Sequence, residues 1–115
     1  MAGNKNIMIN KIYWSSIEFK YNKDSPDFEK LVGGFVYVFI KSFDVMEALM
    51  KIQEAFKERK LTPIVIEHIS QYNPELEWEN EDDKKKYNEL SEFAFRSEIV
   101  EFDDYYSYES INGTE

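Results

Sequence analysis

Alternating apolar and polar positions over residues 11–21 predict a first, half-buried β-strand. Tyr13, Ile17 and Phe19 share one face of this strand, whereas Trp14 lies on the other. The pattern then breaks into a polar loop before Gly33-Gly34. Residues 35–40 are apolar at every position, which is typical of a central strand.

Helical spacing of apolar residues predicts two amphipathic helices, over residues 44–60 and 80–96. Asp44 precedes the first helix as its N-cap, and Glu47 completes a capping box. Asn80 is the predicted N-cap of the second helix, and acidic residues fill its first turn as the helix dipole prefers.

One further strand is predicted after each helix, over residues 64–69 and 97–103. Pro63 marks the start of the first, since proline cannot donate a hydrogen bond to a strand neighbour. Alternation predicts two faces for that strand: Ile64, Ile66 and His68 on one, and Val65, Glu67 and Ile69 on the other.

The element order β-β-α-β-α-β predicts one α+β domain spanning residues 1–115, with mobile ends near 1–6 and 109–115. We expect a two-layer sandwich in which both helices cover one face of a four-stranded mixed sheet. A chain of 115 residues is long enough to bury a core without disulfides. No strand order follows from the sequence.

The absence of cysteine excludes disulfides, thiolate catalysis and sulfur-ligated zinc sites. We find no apolar run long enough for a signal peptide or a membrane-spanning helix, so the predicted location is the cytoplasm.

Charge divides the chain unevenly. Residues 1–66 hold 10 Lys and Arg against 8 Asp and Glu, whereas residues 67–115 hold 4 against 15. An acidic chain of this kind is a poor match for nucleic acid or anionic lipid, whose phosphates need a basic surface. A basic protein is the partner that the charge favours.

Catalytic and cofactor signals are weak. His68 is the single histidine, and its apolar neighbours favour a partly buried structural residue over a general base. Acidic residues are numerous, but no calcium-loop motif arranges them around a metal. Gly33-Gly34 precedes a strand, whereas phosphate-binding loops follow one. We therefore predict no catalytic residue, no metal site and no cofactor, and favour a protein that is not an enzyme.

The most informative segment combines carboxylates with tyrosines near the C-terminal end. Tyrosine offers a large contact area with few torsions to immobilise, and neighbouring acids steer a basic partner. We predict a partner-binding surface that also includes the acid-aromatic alternation around Trp78. Its residues are Asp103, Asp104, Tyr105, Tyr106, Tyr108, Trp78, Glu77 and Glu79. The alternative is that the aromatic residues simply cover an end of the core.

In composition, residues 103–106 resemble the Asp/Tyr-Tyr surface of small bacterial immunity proteins that block nuclease toxins. The resemblance covers four residues, and those inhibitors are helical whereas this chain is predicted to be α+β. What it implies is a role, that of a small acidic inhibitor, and not membership of the family.

Three functions remain open from the sequence. The favoured one is an acidic protein-binding module, including an inhibitor or immunity-type protein that masks a basic surface. The second is a small-molecule-binding domain or an enzyme that uses carboxylates, which would need a pocket with perturbed pKa values. The third is a self-associating domain, such as a homodimer formed through an aromatic sheet face near Trp14.

Overall fold

The computed structural model describes residues 9–28 and 30–108 of the chain. The predicted mobile ends, 1–6 and 109–115, lie outside the described residues. In chain order the elements are β1 (Lys11–Tyr21), β2 (Gly33–Ser42), α1 (Val45–Glu58), β3 (Leu61–Gln71), α2 (Glu81–Ser97), β4 (Glu101–Phe102) and β5 (Tyr106–Tyr108).

The α+β class and the predicted element order are confirmed, with one difference at the C-terminal end. Residues 97–103 were expected to form one strand, but α2 continues to Ser97 and β4 spans only Glu101–Phe102. A second short strand, β5, follows at Tyr106–Tyr108 and pairs with β2.

All hydrogen-bonded strand pairs in the described sheet are antiparallel, so the prediction of a mixed sheet is wrong. The strand order is β3-β1-β2-β4, with β5 also on β2. Because β2 and β3 are both antiparallel to β1, they run in the same direction. They are not neighbours, since α1 carries the chain across β1 and places β3 on its far side.

The two helices lie on opposite faces of the sheet, which corrects the predicted two-layer arrangement. α1 packs its buried face over Ile17 and Val38, whereas α2 packs over Phe39, beside Trp14 and Tyr37. Successive side chains of a strand point to opposite faces, so these two sets lie on different sides of the sheet. The α1 face is defined here by the first set, and the α2 face by the second.

Both helix N-termini carry the predicted caps, Asp44 and Asn80, but Glu47 does not close the predicted capping box, because its carboxylate bonds to the backbone N–H of Phe43 and not to that of Asp44. The Glu47 backbone N–H donates to Asp44 Oδ1 at 2.8 Å, and the Glu47 carboxylate accepts from the Phe43 backbone N–H at 3.1 Å. At the second helix, the Asp83 backbone N–H donates to Asn80 Oδ1 at 2.7 Å. These bonds satisfy donors that a helix leaves free at its start.

β3 does not follow the predicted alternation, because its pairing with β1 contains two β-bulges. Ser15 lies opposite Ile69 and Ile17 lies opposite Ile66, so three steps along β3 match two along β1. A second irregularity lies near Pro63. Ile66 and Ile69 consequently both pack against the α1 core, although strict alternation placed them on opposite faces.

Candidate partner-binding surface

The α2 face is covered over only part of its length. α2 and Trp78 pack over Trp14 and Phe39, but β2 continues beyond them toward Gly33. In that direction Phe35 is 45% exposed, and Tyr106, directly opposite it on β5, is 54% exposed.

The uncovered region is continuous across three strands, and we call it the open sheet face. Cross-strand pairing places Ser16 opposite Tyr37 and Glu18 opposite Phe35. β5 places Tyr106 opposite Phe35 and Tyr108 opposite Gly33. Directly opposite residues share a face, so the open sheet face includes Ser16, Glu18, Phe35, Tyr37, Tyr106 and Tyr108, and the exposed Lys20, opposite Gly33, lies at its end.

Tyr108 anchors β5 at one end of this surface. Its hydroxyl donates to Glu18 Oε2 at 2.9 Å, and its ring centroid lies 5.7 Å from that of Phe35. Burial raises the pKa of Tyr108, and the hydrogen bond to the Glu18 carboxylate raises it further.

Glycine is required opposite Tyr108. A Cβ at Gly33 would lie 2.2 Å from the Phe19 carbonyl oxygen and 3.1 Å from the Tyr108 hydroxyl. Gly33 therefore lets the chain approach β1 closely enough for Tyr108 to reach Glu18.

A shallow groove of about 250 Å³ runs along the middle of the open sheet face. Its lining consists of Ser16, Phe35, Val36, Tyr37 and Tyr106. Three of these five side chains are aromatic, and the lining contains no charged side chain. Glu18, directly opposite Phe35 in the β1–β2 pairing, is not part of this lining, and its carboxylate accepts the hydrogen bond from Tyr108.

Asp103 does not present its charge to a partner, although the sequence suggested it. Its side chain is only 2% exposed, and its Oδ1 lies 3.1 Å from Lys86 Nζ. Its backbone N–H donates to the Tyr37 carbonyl at 2.9 Å. Burial by itself would lower the pKa of Lys86, but the Asp103 carboxylate outweighs it and the pKa of Lys86 is raised. Asp103 thus fixes the segment to α2 and β2.

Tyr105 is half-buried on the α1 face, away from the open sheet face. Its ring centroid lies 5.2 Å from that of Phe19, and its hydroxyl accepts a hydrogen bond from Arg59 Nη1 at 2.8 Å. The predicted segment is therefore divided between two roles. Asp104 and Tyr106 are exposed, whereas Asp103 and Tyr105 hold them in place.

The alternation around Trp78 has the predicted form, with Trp78 half-buried and Glu77 and Glu79 exposed. Trp78 packs against Tyr87, with ring centroids 4.5 Å apart, and its ring also lies 6.4 Å from that of Tyr37. Since Tyr37 lines the groove, Trp78 stands at the boundary between the covered and open parts of the α2 face. A role for these residues in partner binding remains a prediction.

His68 is exposed, so the prediction of a partly buried histidine is wrong. Its ring lies 6.3 Å from that of Trp14, on the α2 face, and its Nδ1 lies 3.5 Å from Ser70 Oγ. The bulges of β3 separate it from Ile66, whose apolar side chain was the reason to expect burial.

Sequence reasoning missed Phe35 and Glu18, which lie at the centre of the open sheet face. The sequence signal that could have identified Phe35 is its position within the strand. Phe35 begins the continuous apolar run, directly after Gly33-Gly34, where the strand extends past the cover that α2 provides.

Comparisons with protein-family models, curated proteins and solved structures find no match to this chain. Neither of the described helices has the length and apolar character needed to cross a bilayer. Within residues 9–28 and 30–108, no group of three or more acidic or histidine side chains is arranged to hold a metal ion.

Buried tyrosines on the α2 face should make the free energy of unfolding depend on pH in the alkaline range. Burial raises the pKa of Tyr87 far above its ordinary value of 10.0, and the nearby Asp103 carboxylate raises it further. Keeping Tyr87 neutral contributes stability that is fully present below pH 10 and lost above it, because the unfolded chain ionises first. We expect the unfolding free energy to fall above pH 10 by about 1.4 kcal/mol per pH unit for each such tyrosine.

Urea unfolding at several pH values between 9 and 11.5 measures this slope. Tyr87→Phe should make it shallower than in the wild type. Parallel slopes for Tyr87→Phe and wild type would show that Tyr87 does not carry the effect.

Proposed function

We propose that this protein is a non-enzymatic protein-binding module that docks its open sheet face onto a basic region of a partner protein, as a small inhibitor would. The observation that carries the proposal is the exposed pair of Phe35 and Tyr106, side by side on a sheet face that no described helix covers. Exposed aromatic side chains of this kind are typical interface anchors.

Charge supports the choice of a basic partner. Glu18 lies directly opposite Phe35, and the exposed Asp104 precedes Tyr106 by two residues, in a chain with a net charge of −9. Acidic groups around an aromatic centre accelerate association with a basic surface and repel acidic ones. The expected location remains the cytoplasm, where a chain without cysteine is unaffected by reducing conditions.

The other two functions are less well supported. The groove of about 250 Å³ is open and smaller than the pockets of about 300–1,000 Å³ that bind small molecules. Self-association through Trp14 is disfavoured because its ring is packed against those of Tyr72 and Trp78.

A pull-down from lysate of the source organism, at low and moderately high salt, tests the proposal. We expect the wild type to capture one basic protein in stoichiometric amount, with recovery falling as salt rises. The double variant Phe35→Ala/Tyr106→Ala should lose that protein. The control is Met46→Ala/Met50→Ala, which truncates two exposed side chains of α1 on the opposite side of the sheet.

Capture that is equal in the double variant and the wild type would overturn the assignment of this surface. Capture of no stoichiometric protein at either salt concentration would overturn the proposed function. Circular dichroism of each variant verifies that the fold is retained.

A further inference from the structure

The groove on the open sheet face has the chemistry of a cation site. Phe35, Tyr37 and Tyr106 all line it. The faces of aromatic rings carry partial negative charge and attract cations that approach within about 6 Å. A groove lined by three such rings favours a cation with a flat apolar surface over a strongly hydrated ion.

Carboxylates near the groove add to this preference. Glu18 lies opposite Phe35, and Asp104 precedes Tyr106 by two residues. Among the described residues, neither carboxylate takes part in a salt bridge, whereas the nearby cation Lys86 is paired with Asp103. An entering cation would thus meet the Glu18 carboxylate, which takes part in no salt bridge of the described residues, whereas Asp104 already attracts Lys86.

The opposite face of the same sheet shows how this chain pairs a guanidinium with aromatic rings. The Arg59 guanidinium carbon lies 3.8 Å from the centroid of the Phe102 ring, and its Nη1 donates to the Tyr105 hydroxyl. Phenylalanine, tyrosine and a flat cation thus form one stacked, hydrogen-bonded unit. The groove offers the same ring types, with the cation position left to a partner.

We propose that the groove receives an arginine side chain of the basic partner, stacked among Phe35, Tyr37 and Tyr106 with the Glu18 carboxylate beside it. This inference rests on the proposed function and specifies what the partner presents. Arginine is favoured over lysine because its guanidinium is flat, more weakly hydrated and able to stack while donating several hydrogen bonds.

Titration with hexa-arginine and hexalysine peptides, followed by NMR of the backbone amides and aromatic protons, tests the proposal. The two peptides carry equal charge, so attraction by the acidic surface alone treats them alike. We expect hexa-arginine to bind about fivefold or more tightly than hexalysine, with the largest shifts at Phe35, Tyr37 and Tyr106.

Three variants separate stacking from general charge. Tyr106→Ala should remove the preference for hexa-arginine, and Tyr106→Phe should keep it, because the aromatic face is retained. Glu77→Gln/Glu79→Gln removes charge from the acidic rim near Trp78 and should weaken both peptides equally. The preference between the two peptides should persist in that variant.

Equal affinities for the two peptides, or shifts spread over the acidic surface without the groove residues, would overturn the inference. Failure of the proposed function is distinguished from failure of the arginine site by the pull-down with the double variant. If Phe35→Ala/Tyr106→Ala loses the partner protein while the peptides bind equally, the module stands and the arginine site is wrong. If Phe35→Ala/Tyr106→Ala captures as much partner protein as the wild type, the proposed surface is wrong, whatever the affinities for the two peptides.

Discussion

Phe39→Ala is expected to lower the free energy of unfolding by about 3–5 kcal/mol. Phe39 is fully buried at the centre of the α2 face. Its ring centroid lies 5.3 Å from that of Tyr72, 5.9 Å from that of Tyr87 and 6.1 Å from that of Trp14. Truncation removes the apolar contact area and leaves a cavity that large rings cannot refill without leaving their rotamers.

Phe95→Ala is the matched control, because it makes the same chemical change on α2 at a ring that is 45% exposed. Its loss removes a contact with Lys41, whose Nζ lies 4.3 Å from the ring centroid, and should cost about 1 kcal/mol or less. Urea unfolding of both variants measures the difference. Similar losses for the two would mean that the cluster around Phe39 is not the packed core described above.

Lys86→Met has the second largest expected effect, a loss of about 2–3 kcal/mol of unfolding free energy. The substitution leaves the Asp103 carboxylate buried without its cation, at a side-chain exposure of 2%. We place the loss below that of a fully buried pair because the Lys86 side chain is 37% exposed. Because Asp103 also bonds to the Tyr37 carbonyl through its backbone, the damage should extend to the groove.

A double-mutant cycle isolates the ion pair. Asp103→Asn removes the buried charge with little change of shape, so Lys86→Met/Asp103→Asn should be more stable than Lys86→Met alone. Denaturant unfolding at neutral pH supplies the four free energies. Losses that simply add would show that the pair contributes no coupling and that Asp103 is held by its backbone bond alone.

The elements of the fold were readable from the sequence because each has a local cause. Caps at Asp44 and Asn80 and the spacing of apolar residues define both helices. The prediction that both helices lie on one face of the sheet was wrong, although the sequence of β2 contains the information needed to place them. A strand that is apolar at every position, as residues 35–40 are, calls for cover on both faces, and one helix on each face supplies it for most of the run, with Phe35 left exposed.

The β-bulges of β3 were not readable. They result from how β3 pairs with β1, at a distance along the chain that no local pattern encodes. Alternation therefore failed at Ile66 and Ile69, and with it the expected environment of His68.

The sequence predicted some residues of the candidate surface and missed others. Composition identified the segment that carries Asp104 and Tyr106, but composition does not say which way each side chain points. Alternation within the segment would have separated Asp103 and Tyr105 from Asp104 and Tyr106, as the structure does. Phe35 was missed because its exposure depends on where α2 ends over the sheet.

The bulges of β3 also limit how far the sheet can grow. β3 is an edge strand of 11 residues with Ile64 and Val65 exposed, and such an edge is a template for assembly into filaments. The two bulges interrupt the regular hydrogen-bond spacing of this strand, so we expect an incoming strand to match it over only a few residues. We therefore expect the bulges of β3 to oppose polymerisation along this edge of the sheet.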